Sequence, residues 1–510
     1  MSSELMKHDS MTDFGGGEQE SVEVVQRSGL FGKLLEVERE SCQSVVKSMR
    51  SAHSYRSSVS RISTKEWAKG EGGMGTAPPQ HAAWPSIAAI MISEVVGAGV
   101  LTLAGKYAQL GWVIPTIAIV VIFFLVVYTS SMMVKVRQVF PAIVCLSDAA
   151  DYTYGRVARI VTQVFVITYL VFTLGDYILL VGKSLGSALY SVHLCFPIWT
   201  LIGAAALLPI VQLRTLNSTT ILCGINMVTI LVAIALVIAG LALDGRAEDV
   251  QSPVIAENLD FMGFFQGLSA IFFTFGGQFM FYELMAEMKV YTDFPKTFTI
   301  AGPFQVPVYL LVGMIGYYYK GTEASSYFLD NLGFGVMFRV ASAMLAFHMM
   351  IAFLILCNVL ARIIHLSVSP RVNDLGWRGK LEWFGCTFSV VVLSFVVSNA
   401  VPFFDLLTSL IGGLLVPTLN LIFPVIFYTK TRIMVQDKLK WWEWVINSCL
   451  VVFGVLVTVV STIENFRAII NQWSSFGAPF SCHCQDLWDT CDCSLERMDF
   501  SGYNCTAYLP

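Results

Sequence analysis

Apolar runs of about twenty residues recur along most of this 510-residue chain, from Ser86 to Ile463. Each is long enough to cross the hydrocarbon core of a bilayer as a helix. In lipid every backbone N–H and C=O must be paired internally, which helices achieve within a single segment. About eleven spans can be placed, at 86–106, 111–134, 158–190, 198–213, 220–243, 263–288, 298–320, 336–364, 382–400, 403–428 and 442–464. The fourth is short, with Pro197 just ahead of it and Pro209 near its end. Only 13% of residues are charged, about half the share of a soluble domain, and the mean hydropathy is +0.66. The chain therefore reads as an all-α polytopic membrane protein. A formal charge of −4 argues against nucleic acid as a partner.

Three regions follow: a polar tail at 1–84, a transmembrane domain at 85–465 and a Cys-rich tail at 466–510. The first apolar run starts only after residue 84, so no cleavable signal peptide is expected and the first span serves as the targeting signal. Within the first tail, 46–65 holds no acid and alternates Lys47, Arg50, Arg56, Arg61 and Lys65 with seven serines. That pattern fits a disordered tail or a basic strip on anionic lipid, released when the serines are phosphorylated. A short amphipathic helix over 31–46 is a further expectation.

Basic residues set the orientation. With the N-terminus in the cytosol, the inner loops hold fifteen basic residues, among them Lys135, Arg137, Arg156, Arg159, Lys289, Lys296, Arg362, Arg378, Lys380, Lys430 and Arg432. The outer loops hold little beyond Lys106, Arg246 and Lys320. An odd number of spans then places the C-terminal tail outside, or in an organelle lumen. That tail carries Cys482, Cys484, Cys491, Cys493 and Cys505, and Cys195 in an outer loop brings the set to six. Disulfides of undetermined pairing are favoured over a zinc site, because Cys-x-Cys is tighter than zinc spacing. Asn504 begins an acceptor for glycosylation on that side, whereas the sequon at Asn217 falls in a cytosolic loop.

Within the first span, Gly97-Ala98-Gly99 interrupts an apolar helix just after a carboxylate, Glu94. A charge at that depth costs at least ~2.5–3.5 kcal/mol and generally serves an ion or substrate path. Irregular backbone survives there only when buried in protein or lining a cavity. Three segments in order, GAGVLTLAGKYAQLGW (Gly97–Trp112), FFTFGGQFMFYELMAEMK (Phe272–Lys289) with FPKTF after it, and VPFFDLLTSLIGGLLVPTLNLIFPVIFY (Val401–Tyr428), resemble the amino acid/auxin permease family. That family lies within the amino acid-polyamine-organocation superfamily. The resemblance covers about 84–464 and implies a LeuT-like, five-plus-five inverted repeat with an eleventh helix appended and with helices 1 and 6 discontinuous. Gly276-Gly277 does interrupt the sixth span, and paired interruptions of this kind point to a midplane binding site.

The resemblance implies proton- or sodium-coupled transport of amino acids, without enzymatic activity, cofactor or metal. Substrate contacts are expected from Ser93, from Gly97, Ala98, Gly99 and Val100, and from Phe273, Thr274, Phe275, Gly276, Gly277 and Gln278. Unwinding frees N–H groups for a carboxylate and carbonyls for an ammonium group, although small residues also serve close helix packing. Glu94 is the first candidate for the coupling proton and Asp176 the second, with Lys183 on about the same face as Asp176. Glu283 and Glu287 match the acidic end of the family's sixth-span motif, and Arg362 sits where relatives also carry arginine; all three are candidate gate residues. His348, alone in an apolar helix, reads as an interhelical hydrogen bond rather than a proton relay. Sodium-coupled relatives supply an asparagine ahead of the first-span glycines and a hydroxyl from the eighth span. Here the positions hold Ser93 and an Ile351–Ala361 stretch without Ser or Thr, which favours protons. The apolar sixth span favours neutral substrates. Sodium coupling, and an amino-acid sensor with little flux, are the alternatives. The plasma membrane and a vacuolar or lysosomal membrane both fit.

Overall fold

The computed structural model describes residues 82–476, apart from 193, 214–218, 258, 370–375 and 402–403, together with 479–480. Residues 1–81, the tail cysteines from Cys482 to Cys505, and Asn217 and Asn504 lie outside the described residues. Nine stretches among the described residues are long and apolar enough to cross a membrane, and Phe196–Ile210 is an apolar helix of shorter length. The described residues contain helices and a single isolated bridge, with no named strand. This is the architecture of an integral, multi-pass membrane protein.

The first span is broken into α1 (Trp84–Val95), α2 (Ala98–Leu101) and α3 (Leu103–Leu110). Then come α4 (Val113–Val139), α5 (Leu146–Tyr154), α6 (Arg156–Ala188), α7 (Phe196–Ile210) and α8 (Thr219–Asp244). The sixth span is broken into α9 (Phe261–Phe273) and α10 (Phe281–Glu287), with a 3-10 turn at Gln278–Met280 between them. It is followed by α11 (Phe298–Lys320), α12 (Val336–Val368) and α13 (Trp377–Ala400). The tenth span consists of α14 (Phe404–Leu414), a π-turn at Thr418–Ile422 and α15 (Phe423–Met434), and α16 (Trp441–Phe476) closes the described fold.

Local chemistry sets several boundaries. Asp260 caps α9 by accepting from the Gly263 N–H at 2.8 Å, relieving one of the donors left orphaned at a helix start. Asp148 reaches back to the Val144 and Cys145 N–H groups at the head of α5. Gly111, at φ 84°, makes the turn from α3 into α4, and a Cβ there would strike Val254 O at 2.6 Å. Only glycine meets both conditions.

Two groups of helices surround the two breaks. In one, α6 packs along α12, α7 and α13, and α8 lies on α12. In the other, α1 and α3 both pack on α11, while α9 lies against α14, α16 and α3. The short helix α5, packed on α6, is an addition to the elements read from sequence. Lys106, counted above with an outer loop, is instead buried within α3 at 2% exposure. Its ammonium is neutralised from a distant segment, by Asp405. Cys195, at the head of α7, is disulfide-bonded. The other described cysteines are free.

Candidate functional site

The two breaks touch. A Cβ on Gly99 would meet Thr274 Cα at 2.7 Å, and one on Gly276 would meet the Tyr169 hydroxyl at 2.5 Å. Glycine at these two points lets the interrupted segments approach each other and α6 closely. Where they meet lies a cavity of about 30 Å³, room for about one or two water molecules. From the first break it is lined by Glu94, Gly97, Ala98 and Gly99, and from the sixth by Phe273, Thr274, Gly276 and Gly277. Tyr169 and Tyr177 of α6, Phe279, Met280 and Leu356 complete it. Ser93, Val100, Phe275 and Gln278 do not line it; they pack behind the wall, and each is buried.

The carbonyls freed by the sixth break are held by the surrounding helices. Tyr309 on α11 donates its hydroxyl to Thr274 O at 2.7 Å, and Asn420 in the π-turn donates to Phe275 O at 2.7 Å. The Phe275 ring meets Tyr309 edge-on, with centroids 5.3 Å apart. Gln278 donates to Thr129 Oγ1 on α4 at 2.8 Å. A buried carbonyl without a donor costs about 1–3 kcal/mol, so these side chains stabilise an unwound backbone that lipid alone would not tolerate.

The first break is anchored differently. Just before it, Ser93 donates to Cys223 O on α8 at 2.9 Å, and Asn226 Nδ2 lies 3.5 Å from Ser93 O. His348 on α12, fully buried, lies with Nδ1 2.8 Å from Asn226 O. Its Nε2 has no hydrogen-bond partner among the described residues, and neither does Glu94 Oε2. Both carboxylate oxygens of Asp176 are likewise buried without a partner. Asp176 does not line the cavity, but its neighbour Tyr177 does.

Each end of the first span is fastened. At the Leu110 end, Lys106 Nζ lies 2.7 Å from Asp405 Oδ1 on α14. At the Trp84 end, Ala82 N donates to Glu287 O at 3.1 Å and Lys289 N donates to Ala82 O at 3.0 Å. The candidate gate residues cluster at this second end. Arg137 of α4 donates to Tyr282 O at 2.9 Å and lies over the Tyr291 ring. Glu283 Oε2 is buried without a partner, and Glu287 feels the charge of Arg362 on α12. Lys183 does not reach back to Asp176. It pairs with Asp330 at 2.7 Å and lies over the Tyr327 ring, because it sits two turns along α6 beside the 3-10 turn Phe328–Asn331.

Sequence reasoning did not single out Tyr169, Tyr177, Tyr309 or Asn420. For the α6 pair a signal existed: eight residues is close to two helical turns beyond Tyr169, which puts Tyr177 on the same face. No comparable local signal marks Tyr309 or Asn420, whose partners lie 35 and 145 residues away.

Residues 80–466 match the family described as "Transmembrane amino acid transporter protein". The chain is similar to an "N amino acid transport system protein" of Neurospora crassa, at 22% identity over 81% of this chain and 90% of that one. It is also similar to "Amino acid transporter AVT3C" of Arabidopsis thaliana, at 23% identity over 80% of this chain and 93% of that one. Among solved structures, the crystal structure of MhsT in complex with L-phenylalanine aligns with 77% of this chain and 99% of that one, at 12% identity and a TM-score of 0.48.

Proposed function

Because the chain belongs to the transmembrane amino acid transporter (amino acid/auxin permease) family, we propose that it is a secondary active transporter of neutral amino acids, driven by a proton gradient. The observation that carries this reading is the meeting of two interrupted helices around one small cavity with a single carboxylate in its wall. At the head of α2, N–H groups without an intrahelical acceptor suit the substrate carboxylate. Phe273, Met280 and Leu356 offer apolar surface to its side chain, and the lining holds no basic residue to read an acidic one.

Glu94 is the group on which the coupling proton rides. A carboxylate here is expensive to hold in the membrane interior, and binding a proton removes the charge. Asp176 is the second candidate in this role. Protons rather than sodium are supported by the Ser93 hydroxyl, which is engaged with Cys223 O, and by the absence of any hydroxyl from Ile351 to Ala361 of α12.

Alternating access follows from the size of the cavity. A space for about one or two waters admits an amino acid only when the packing around it opens. In this reading α1–α3 and α9–α10 rock against α6, α7, α12 and α13, as the two members of a five-plus-five repeat. Glu283, Glu287 and Arg362 form the gate at the cytosolic end. The N-terminal side faces the cytosol and the C-terminal tail the opposite compartment, at the plasma membrane or a vacuolar or lysosomal membrane.

The test is uptake of labelled amino acids into proteoliposomes under an imposed pH gradient, then under a sodium gradient, for wild type and Glu94→Gln. Concentrative uptake driven by the pH gradient and lost in Glu94→Gln is expected. Uptake driven by sodium alone would overturn proton coupling, and specific binding without flux would favour a sensor.

A further inference from the structure

Gly97 leaves a gap that three polar atoms surround. The position its Cβ would occupy lies 3.4 Å from Glu94 O, 3.8 Å from His348 Nε2 and 3.9 Å from the Tyr177 hydroxyl. The protonation of the histidine follows from its other nitrogen. Nδ1 lies 2.8 Å from the carbonyl of Asn226, and a carbonyl only accepts, so Nδ1 carries the hydrogen. In the neutral ring Nε2 is then a bare acceptor. It is fully buried and has no partner among the described residues. Gly97, Tyr177 and Glu94 also line the cavity, and Glu94 Oε2 is buried without a partner among the described residues.

Of the three atoms nearest the gap, Glu94 O and His348 Nε2 accept hydrogen bonds, and the Tyr177 hydroxyl can donate or accept. A carboxylate would add acceptors to acceptors. A primary ammonium group, with three N–H donors and a positive charge, matches this surround. We infer that His348 Nε2 accepts a hydrogen bond from the substrate's α-ammonium group, with Gly97 keeping the path between them open. The inference rests on the amino-acid reading above and extends it to a residue outside the two breaks.

Two substitutions separate this role from a structural one. His348→Asn keeps a donor near the Nδ1 position, and with it the bond to Asn226, but removes the acceptor at Nε2. His348→Gln places an amide oxygen near the Nε2 position and gives up the Nδ1 bond. A hydrogen bond to a charged group is worth about 10- to 100-fold in binding. Uptake into proteoliposomes is measured with whichever of the twenty labelled L-amino acids the wild type accumulates most. The expected result is a KM raised by about 10- to 100-fold in His348→Asn with thermal stability near wild type, and recovery of most of that affinity in His348→Gln. The α-hydroxy acid of the same side chain is the second probe. Wild type should prefer the amino acid over it, and His348→Asn should lose most of that preference. Should either histidine variant fail to fold, Gly97→Ala, whose methyl would cover Nε2, should raise KM and narrow the same preference.

A wild-type KM and an undiminished preference in His348→Asn, with His348→Gln destabilised, would overturn the inference and leave His348 as a helix-to-helix strut. Failure of the wild type to accumulate any of the twenty amino acids would instead overturn the transport reading, and this inference with it.

Discussion

Lys106 and Asp405 lie 2.7 Å apart although 299 residues separate them, and the lysine is 2% exposed against 36% for the aspartate. The pair ties the Leu110 end of the first span to α14. An amide there keeps an oxygen to accept from Lys106 Nζ but takes away the counter-charge of a buried ammonium, whose other hydrogen bond among the described residues is to Gln109 Oε1 at 3.3 Å. Asp405→Asn should therefore favour conformations in which this end is open. A cysteine placed at Ala108, partly buried beside the pair, in a background without other accessible thiols should react several-fold faster with a polar thiol reagent when Asp405→Asn is present. Equal rates would mean that the pair does not restrain this end.

The glycines of the two breaks should not tolerate alanine equally. A methyl at Gly99 would press on the Thr274 backbone at 2.7 Å, whereas one at Gly97 meets nothing closer than 3.4 Å. Gly276 is intermediate: its nearest neighbour is the end of a tyrosine side chain, but Phe273 O lies at 3.0 Å. Overpacking costs about 1–3 kcal/mol. Thermal stability of the purified variants should fall most for Gly99→Ala, less for Gly276→Ala and least for Gly97→Ala, and a reversed order would refute the close contact of the two breaks.

Tyr309→Phe and Asn420→Leu each withdraw the donor from one carbonyl of the sixth break. Each should destabilise the protein by about 1–3 kcal/mol, visible as a lower midpoint in thermal denaturation. Combined, their effects should exceed either alone but fall short of the sum, because the two carbonyls are adjacent in one turn of backbone and the Phe275 ring packs on Tyr309. A double variant no worse than either single would mean that the break relaxes once one anchor is lost.

Cys145, at the head of α5, provides a test by pH. Burial pushes its thiol up, well above the usual range, and the charges of Asp148 and Glu283 add to the effect. The residue as a whole is partly exposed; the shift belongs to its sulfur, enclosed beside the Ser147 hydroxyl at 3.1 Å. A raised pKa means less thiolate at neutral pH, hence slower alkylation. Cys145 should react with iodoacetamide at pH 7.5 much more slowly than a free thiol. Asp148→Asn removes one of the charges and should bring the rise of its rate with pH to lower pH. An unchanged pH profile would remove Asp148 from the account.

The spans and the two interruptions were legible in the sequence because each is a local property: a run of apolar residues, or glycines within one. The limits of the seventh span, 298–320, coincide with α11 for that reason. The partners were not legible. Lys106 resembled a loop lysine because its counter-charge comes from the tenth span, and Lys183 was compared with Asp176 because nothing local points to Asp330. The π-turn that carries Asn420 is a one-residue excess in helical winding; Pro417 just ahead of it marks an irregularity, but nothing in TLNLI tells that Asn420 reaches Phe275. The wall of the cavity divides in a similar way: its glycines are visible in sequence, whereas the spacing of Tyr169 and Tyr177 shows a shared face of α6 but not that this face meets the glycines.

The backbone link between Ala82 and the residues on either side of Met288 joins the entry to α1 to the exit from α10. It uses backbone groups alone, so any residue but proline at Ala82 or Lys289 can make it. While it holds, the two interrupted spans are yoked at that end, and neither can swing away from the cavity without taking the other along. Under the alternating access proposed above, they would move as one leaf on a shared hinge rather than as two separate doors.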